Sequence, residues 1–130
     1  LIEAFALMAK ADLSTIGTDD LVQRFAEITR EQDKALLAGQ TARFNRLFAD
    51  MKAIHDELKG RPGDQRRALM RLYEFPNMQV RLQAAKLTLA VAPAEARSQL
   101  QAIADSKWFP QAGDAGMSLL NLDNGIFKPS

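Results

Sequence analysis

Few side chains in this sequence could do chemistry. His55 is the single histidine, followed by Asp56 and Glu57 on a stretch whose other edge is apolar. A transition-metal site needs several nitrogen or sulfur ligands, and cysteine is absent. Only a carboxylate site for magnesium or calcium survives, and no Asp-x-Asp-x-Asp-Gly loop occurs. No metal and no cofactor are therefore expected, and His55 is expected at the surface or at a helix cap. Glu27, Glu31 and Asp33 beside Lys34 invite an acid–base reading, because positions four apart share a helix face. The same spacing makes an ordinary salt-bridged surface. Nothing nearby would push one carboxylate pKa away from another, so the surface reading is preferred.

Gly113-Asp114-Ala115-Gly116 follows Trp108, Phe109 and Pro110. It reads either as a recognition loop or as a helix start with Asp114 at the positive end of the dipole. The helix start is preferred, and the aromatics are expected to pack rather than bind. Arg66, Arg67 and Arg71 fall in one helical stretch, where an α-helix would let them share an exposed face. With Arg81 and Lys86 they form a local basic excess over residues 61–86, opposed only by Asp64 and Glu74. Such a face could hold a nucleic-acid backbone, since Arg and Lys supply sequence-independent affinity for phosphate. The set is small and Glu74 is within reach, so a solvated face is preferred. No Gly-x-Ser-x-Gly elbow, phosphate loop or dinucleotide fingerprint occurs, and the chain is not expected to be an enzyme.

These residues must be positioned by a chain of 130 residues, 47% hydrophobic and 25% charged, with net charge +1. That length suits one domain with its own core, expected to span residues 1–130, and the composition is too apolar for disorder. The small net charge creates no global field toward nucleic acid or membrane. No apolar run approaches the roughly 20 residues of a spanning helix. The opening Leu1 to Ala9 carries Glu3 and no leading basic region, so it reads poorly as a signal peptide, and a cytoplasmic location is expected. Since Leu1 rather than Met opens the sequence, a missing leading segment and an already cleaved signal both stay open.

Apolar spacing is helical throughout, which predicts an all-α fold of about five to six helices. A short helix to about Ala11 and a loop from Asp12 to Gly17 precede a helix from Asp19, capped by Thr18 and burying Leu21, Phe25, Ile28 and Leu36. Gly39 stops it. Thr41 opens the clearest amphipathic helix, with Phe44, Leu47, Phe48, Met51, Ile54 and Leu58 at spacings of three and four. Gly60-Arg61-Pro62-Gly63 breaks that helix, and a third from about Asp64 to Phe75 presents Ala68, Leu69, Leu72 and Tyr73 inward. Asn77 caps a fourth that is apolar nearly all round, Pro93 opens a fifth, and Met117, Leu119, Leu120 and Leu122 mark a short sixth.

Pro76-Asn77-Met78-Gln79-Val80-Arg81, continuing through Leu82, Ala84, Ala85 and Leu89, resembles one HEAT repeat. Small alanines allow close helix approach, and Arg81 is placed to bond a neighbouring repeat's cap. The resemblance implies a HEAT- or armadillo-like stack of antiparallel hairpins. From about Leu21 to Pro129 the chain also resembles the bacterial domain of unknown function family 2019. That likeness rests on Phe44-Asn45-Arg46-Leu47-Phe48, on Arg61 to Leu69, on Pro76 to Arg81 and on Gln111 to Met117. It implies a helical repeat fold without an assigned activity, and it supplies no catalytic residue.

The expected function is protein interaction or an adaptor role, of which an immunity-type binder is one version. The rival is a nucleic-acid backbone binder using Arg66, Arg67, Arg71, Arg81 and Lys86. The candidate interaction residues are Arg66, Arg67, Arg71, Arg81, Trp108 and Asp114, and exposure of Phe44 and Phe48 as one patch would favour the protein partner.

Overall fold

Helical spacing is realised as five α-helices and two 3-10 helices, with no strand among the described residues. The computed structural model describes residues 12–130, so the helix expected up to Ala11 lies outside the described residues. In chain order the elements are the 3-10 helix η1 (Asp12–Thr15), α1 (Thr18–Leu37), α2 (Thr41–Gly60), the 3-10 helix η2 (Gln65–Leu72), α3 (Met78–Lys86), α4 (Pro93–Asp105) and α5 (Gln111–Asp123). No helix of the described residues is long and apolar enough to cross a membrane. The chain divides into two compact units, parted between Ala68 and Leu69.

The first unit is built on the α1–α2 hairpin. Gly39, at φ +67°, ends α1. Its amide donates to Leu36 O and the Gln40 amide to Ala35 O, the paired bonds of a Schellman turn, which a glycine in the left-handed region allows without a Cβ clash. Leu21, Phe25, Met51, Ile54 and Leu58 are buried between the helices, and Gln32 Nε2 reaches Met51 Sδ at 3.4 Å. Thr29 is also buried, its hydroxyl returned to Phe25 O at 2.8 Å. Thr18 does not act as the expected cap: Gly17 holds that position, and the Thr18 hydroxyl donates to Gln65 Oε1 instead. Ile28 is only half-buried, and Leu36, near the hairpin tip, is exposed.

In the second unit α5 packs on α4 and also on α3. Leu82, Ala85, Leu89, Ala96, Leu100, Ile103, Ala115 and Leu119 form the core, with Tyr73, Met78 and Leu122 against it. Pro93 opens α4 at a position where its missing amide would have had no helical partner. Asn77 caps α3, its side chain accepting from the amides of Gln79 at 2.9 Å and Val80 at 3.3 Å. Thr88 donates to Ala84 O at 2.8 Å, so the 2.6 Å contact with Tyr73 uses the phenol as donor, and Gln99 Nε2 donates to Tyr73 O. Two expectations fail around this helix. Residues 65–72 form a 3-10 helix rather than an α-helix, and Arg81 Nε donates to Phe75 O just ahead of its own helix rather than to a neighbouring cap.

The cap of α3 yields a stability test. Asn77→Ala removes both capping bonds and is expected to cost about 1 kcal/mol in urea unfolding, whereas Asn77→Asp stays within a few tenths, near ~0.3 kcal/mol. An unchanged midpoint for Asn77→Ala would show that the cap contributes nothing.

Candidate functional site

The basic set singled out in the sequence is largely absorbed by the fold. Arg66 is only 5% exposed. Its guanidinium grips Asp64 through Nε to Oδ1 at 2.9 Å and Nη2 to Oδ2 at 2.6 Å, a two-pronged charge-assisted pair. The turn makes this possible: Gly63 and Asp64 both have positive φ, at 78° and 51°, and this bend brings a carboxylate two residues back onto the arginine. Aspartate tolerates that region better than most residues. The expected exposed face of Arg66, Arg67 and Arg71 is therefore not formed. Arg67 and Arg71 are exposed, but at three residues per turn positions four apart point about 120° apart. Lys86 pairs with Asp114 at 3.0 Å.

His55 is buried at 8% exposure, against the expectation of a surface position. Its Nδ1 lies 2.8 Å from Asp56 Oδ1 and its Nε2 a long 3.5 Å from Arg66 Nη1. Arginine can only donate, so Nε2 accepts, and the proton sits on Nδ1 and is donated to Asp56. Burial pushes the imidazole below its ordinary value of 6.5, the Asp56 hydrogen bond opposes that shift, and the nearby Lys52 and Arg66 charges reinforce it. Asp64 is held below its ordinary value of 3.8, chiefly by the Arg66 hydrogen bond. The cluster has the acid–base residue types of a catalytic site, but Arg66 and Asp64 neutralise one another and no metal-holding group of three or more such side chains occurs among the described residues.

Carboxylates elsewhere are also absorbed. Glu31 takes Arg43 at 2.6 Å and Lys34 at 3.2 Å, which lowers its pKa, first through Arg43. Glu27 stays exposed, so the salt-bridged surface expected of this stretch is seen at Glu31 and Lys34. Asp114 lies inside α5 with Lys86 and Ser118 on the same carboxylate oxygen, so residues 113–116 belong to a helix and not to a loop.

Several large apolar side chains of the second unit remain in solvent. Trp108, Phe109, Met117, Leu120, Ile126 and Phe127 are each between 48% and 73% exposed, so Trp108 and Phe109 do not pack away as expected. On α5, Gln111, Ala112, Ala115 and Leu119 face inward. Positions 113, 117, 120 and 124 lie on the opposite side at helical spacing. The Phe109 ring reaches the Gly113 end of that stripe, within 3.6 Å of where a Cβ would stand. At the other end Gly125, at φ +68°, makes a second Schellman turn: its amide donates to Leu122 O and the Ile126 amide to Asn121 O, folding Ile126 and Phe127 back along the helix. A smaller apolar area lies at the α1–α2 tip. There Phe44 and Phe48 stand 6.4 Å apart, Phe48 is exposed and Phe44 half-buried, and a cavity of ≈ 100 Å³ is lined by Ala35, Leu36, Gly39, Gln40, Thr41 and Phe44.

With this geometry the chain's relationships are plain. The chain belongs to the domain of unknown function family DUF2019, which matches residues 19–123 and bears out the resemblance carried by the sequence motifs. It is similar to the crystal structure of the protein RPA1889 from Rhodopseudomonas palustris CGA009, at 67% identity and a TM-score of 0.90 over 92% of this chain and 98% of that one. No curated protein matches it.

The buried cluster predicts a pH response of defined sign. The fold keeps His55 neutral where the unfolded chain would protonate it, so the unfolded state binds more protons just below pH 6.5. Stability is full above that value and falls as pH drops through the window down to the lower folded pKa. Urea midpoints of the wild type are expected to decline there while those of His55→Gln stay flat, and parallel curves would refute the assignment. Asp64→Asn keeps the left-handed backbone but removes the negative charge that pairs with Arg66, and should cost about 1 to 2 kcal/mol at neutral pH.

Proposed function

We propose that this DUF2019 domain is a non-catalytic protein-interaction module and that its docking face is the outer side of α5. The observation that carries the reading is the six large apolar side chains left in solvent on and beside one helix. Monomeric proteins seldom expose contiguous apolar patches of this kind unless a partner covers them. Such a face suits a protein partner, because aromatic and methionine side chains supply contact area at the centre of interfaces. The polar surroundings support the same reading, since Asp114 and Asp123 at the flanks of α5 are already paired with Lys86 and Arg97. Nucleic-acid binding loses its main support with Arg66 buried and Lys86 paired.

The test is capture of partners from host lysate, with and without nuclease, using the wild type, Met117→Glu/Leu120→Glu and Arg67→Glu/Arg71→Glu. A nuclease-resistant protein held in stoichiometric amount is expected, lost in the apolar-face variant and retained in the charge-reversed one. Nuclease-sensitive capture that disappears only with Arg67→Glu/Arg71→Glu would replace this reading with nucleic-acid binding.

A further inference from the structure

We infer that the partner on the outer face of α5 is a second copy of this chain, packed across a two-fold axis close to residues 116 and 117. The inference rests on the interaction reading above and names its occupant. Four features of the face support it.

The first is size. Side chains of this type bury 150 to 250 Å² when aromatic and somewhat less when aliphatic, so at the observed exposures the six together offer on the order of 700 Å² per chain. That is close to the roughly 800 Å² per partner of a standard stable interface. The α1–α2 tip, with Leu36, Leu37 and Phe48 as its exposed large apolar residues, offers much less.

The second is charge. Gly113, Met117, Leu120 and Asn124 carry none, and Asp114 and Asp123 beside them are satisfied within the chain by Lys86 and Arg97. Along this stripe a partner of opposite charge finds nothing to match and an identical copy meets no like-charge repulsion; the exposed Lys107 and Lys128 lie beyond its two ends in the sequence.

The third is shape. A two-fold contact brings residue i of one copy against residue j of the other and the reverse. With antiparallel helices crossing near 116 and 117, the small Gly113 of one copy faces Leu120 of the second, and the two Met117 side chains meet near the axis. Gly116 has open space where a Cβ would be, so helices can approach closely there.

The fourth is the arrangement of the ends. Phe109 lies against the first turn of α5 and the Schellman turn returns Ile126 and Phe127 past the last. An antiparallel pair therefore sets the aromatic end of each helix over the folded-back end of the other. Both ends of both copies are covered by the same contact.

Sedimentation equilibrium and single-cysteine crosslinking test this on the whole chain. The wild type is expected to sediment as a dimer at about 100 µM, and Met117→Glu/Leu120→Glu to raise the dissociation constant at least about a hundredfold with an unchanged helical spectrum, because a charge on each copy would be buried unpaired. Cysteine is absent from the chain, so Met117→Cys introduces one thiol per copy. It is expected to oxidise to a disulfide-linked dimer far faster than Leu37→Cys, at a site 79% exposed on α1. A monomeric wild type, or equal oxidation of the two cysteine variants, overturns the dimer. The lysate capture separates that failure from failure of the interaction reading: a different protein lost with Met117→Glu/Leu120→Glu leaves the reading standing with another occupant, and capture indifferent to those substitutions removes both.

Discussion

Two guanidinium groups, Arg66 buried and Arg61 half-buried, lie within a few residues of one another where α2 breaks, and much of the first unit is arranged to satisfy them. Arg61 bonds Glu57 on the last turn of α2 and spans to the carbonyls of Leu13 and Ile16 and the hydroxyl of Thr18, tying η1 and the start of α1 to the far end of the hairpin. Arg66 is closed by Asp64 and touches His55. A buried charge left without its partner is expensive, so these bonds fix the path of the chain through Gly60 to Gln65. The requirement also explains why Thr18 abandons capping: its hydroxyl is engaged by Arg61 and Gln65.

The same constraint shapes the surface. A stretch that looks basic in one dimension becomes mostly internal wiring in three, with Arg66 buried, Arg61 half-buried on carbonyls and Glu57, Arg81 on a backbone carbonyl and Lys86 on Asp114. Once those charges are taken up, Arg67 and Arg71 are what stays exposed of the basic residues between 61 and 86. The second unit also presents exposed apolar area, on and beside α5.

Local signals were legible because local physics decides them. Gly39 stops α1, Asn77 caps α3 and Pro93 starts α4, each for a reason contained within a few residues. The third helical stretch differs in type because Ala68, Leu69, Leu72 and Tyr73 share one face at a period of 3.6 and not at 3.0, so apolar spacing alone points to an α-helix where a 3-10 helix forms. His55 looked like surface beside two acids, and its burial depends on Arg66 eleven residues on. On α5 the signal was present but ambiguous. Ala112, Ala115 and Leu119 fall on one side of the helix wheel and Met117 and Leu120 on the other, a two-sided pattern that reads as complete burial when only one side is covered.

Trp108 is the single tryptophan of the chain and stands 64% exposed at the foot of α5. In the single chain its indole sits largely in water, so unfolding a monomer changes its surroundings little. Intrinsic fluorescence of the monomer is thus a gauge of what touches the surface and a poor gauge of whether the core is intact. A blue-shifted emission would report an occupant arriving over the indole, while loss of the fold has to be read from the backbone, through its far-ultraviolet dichroism.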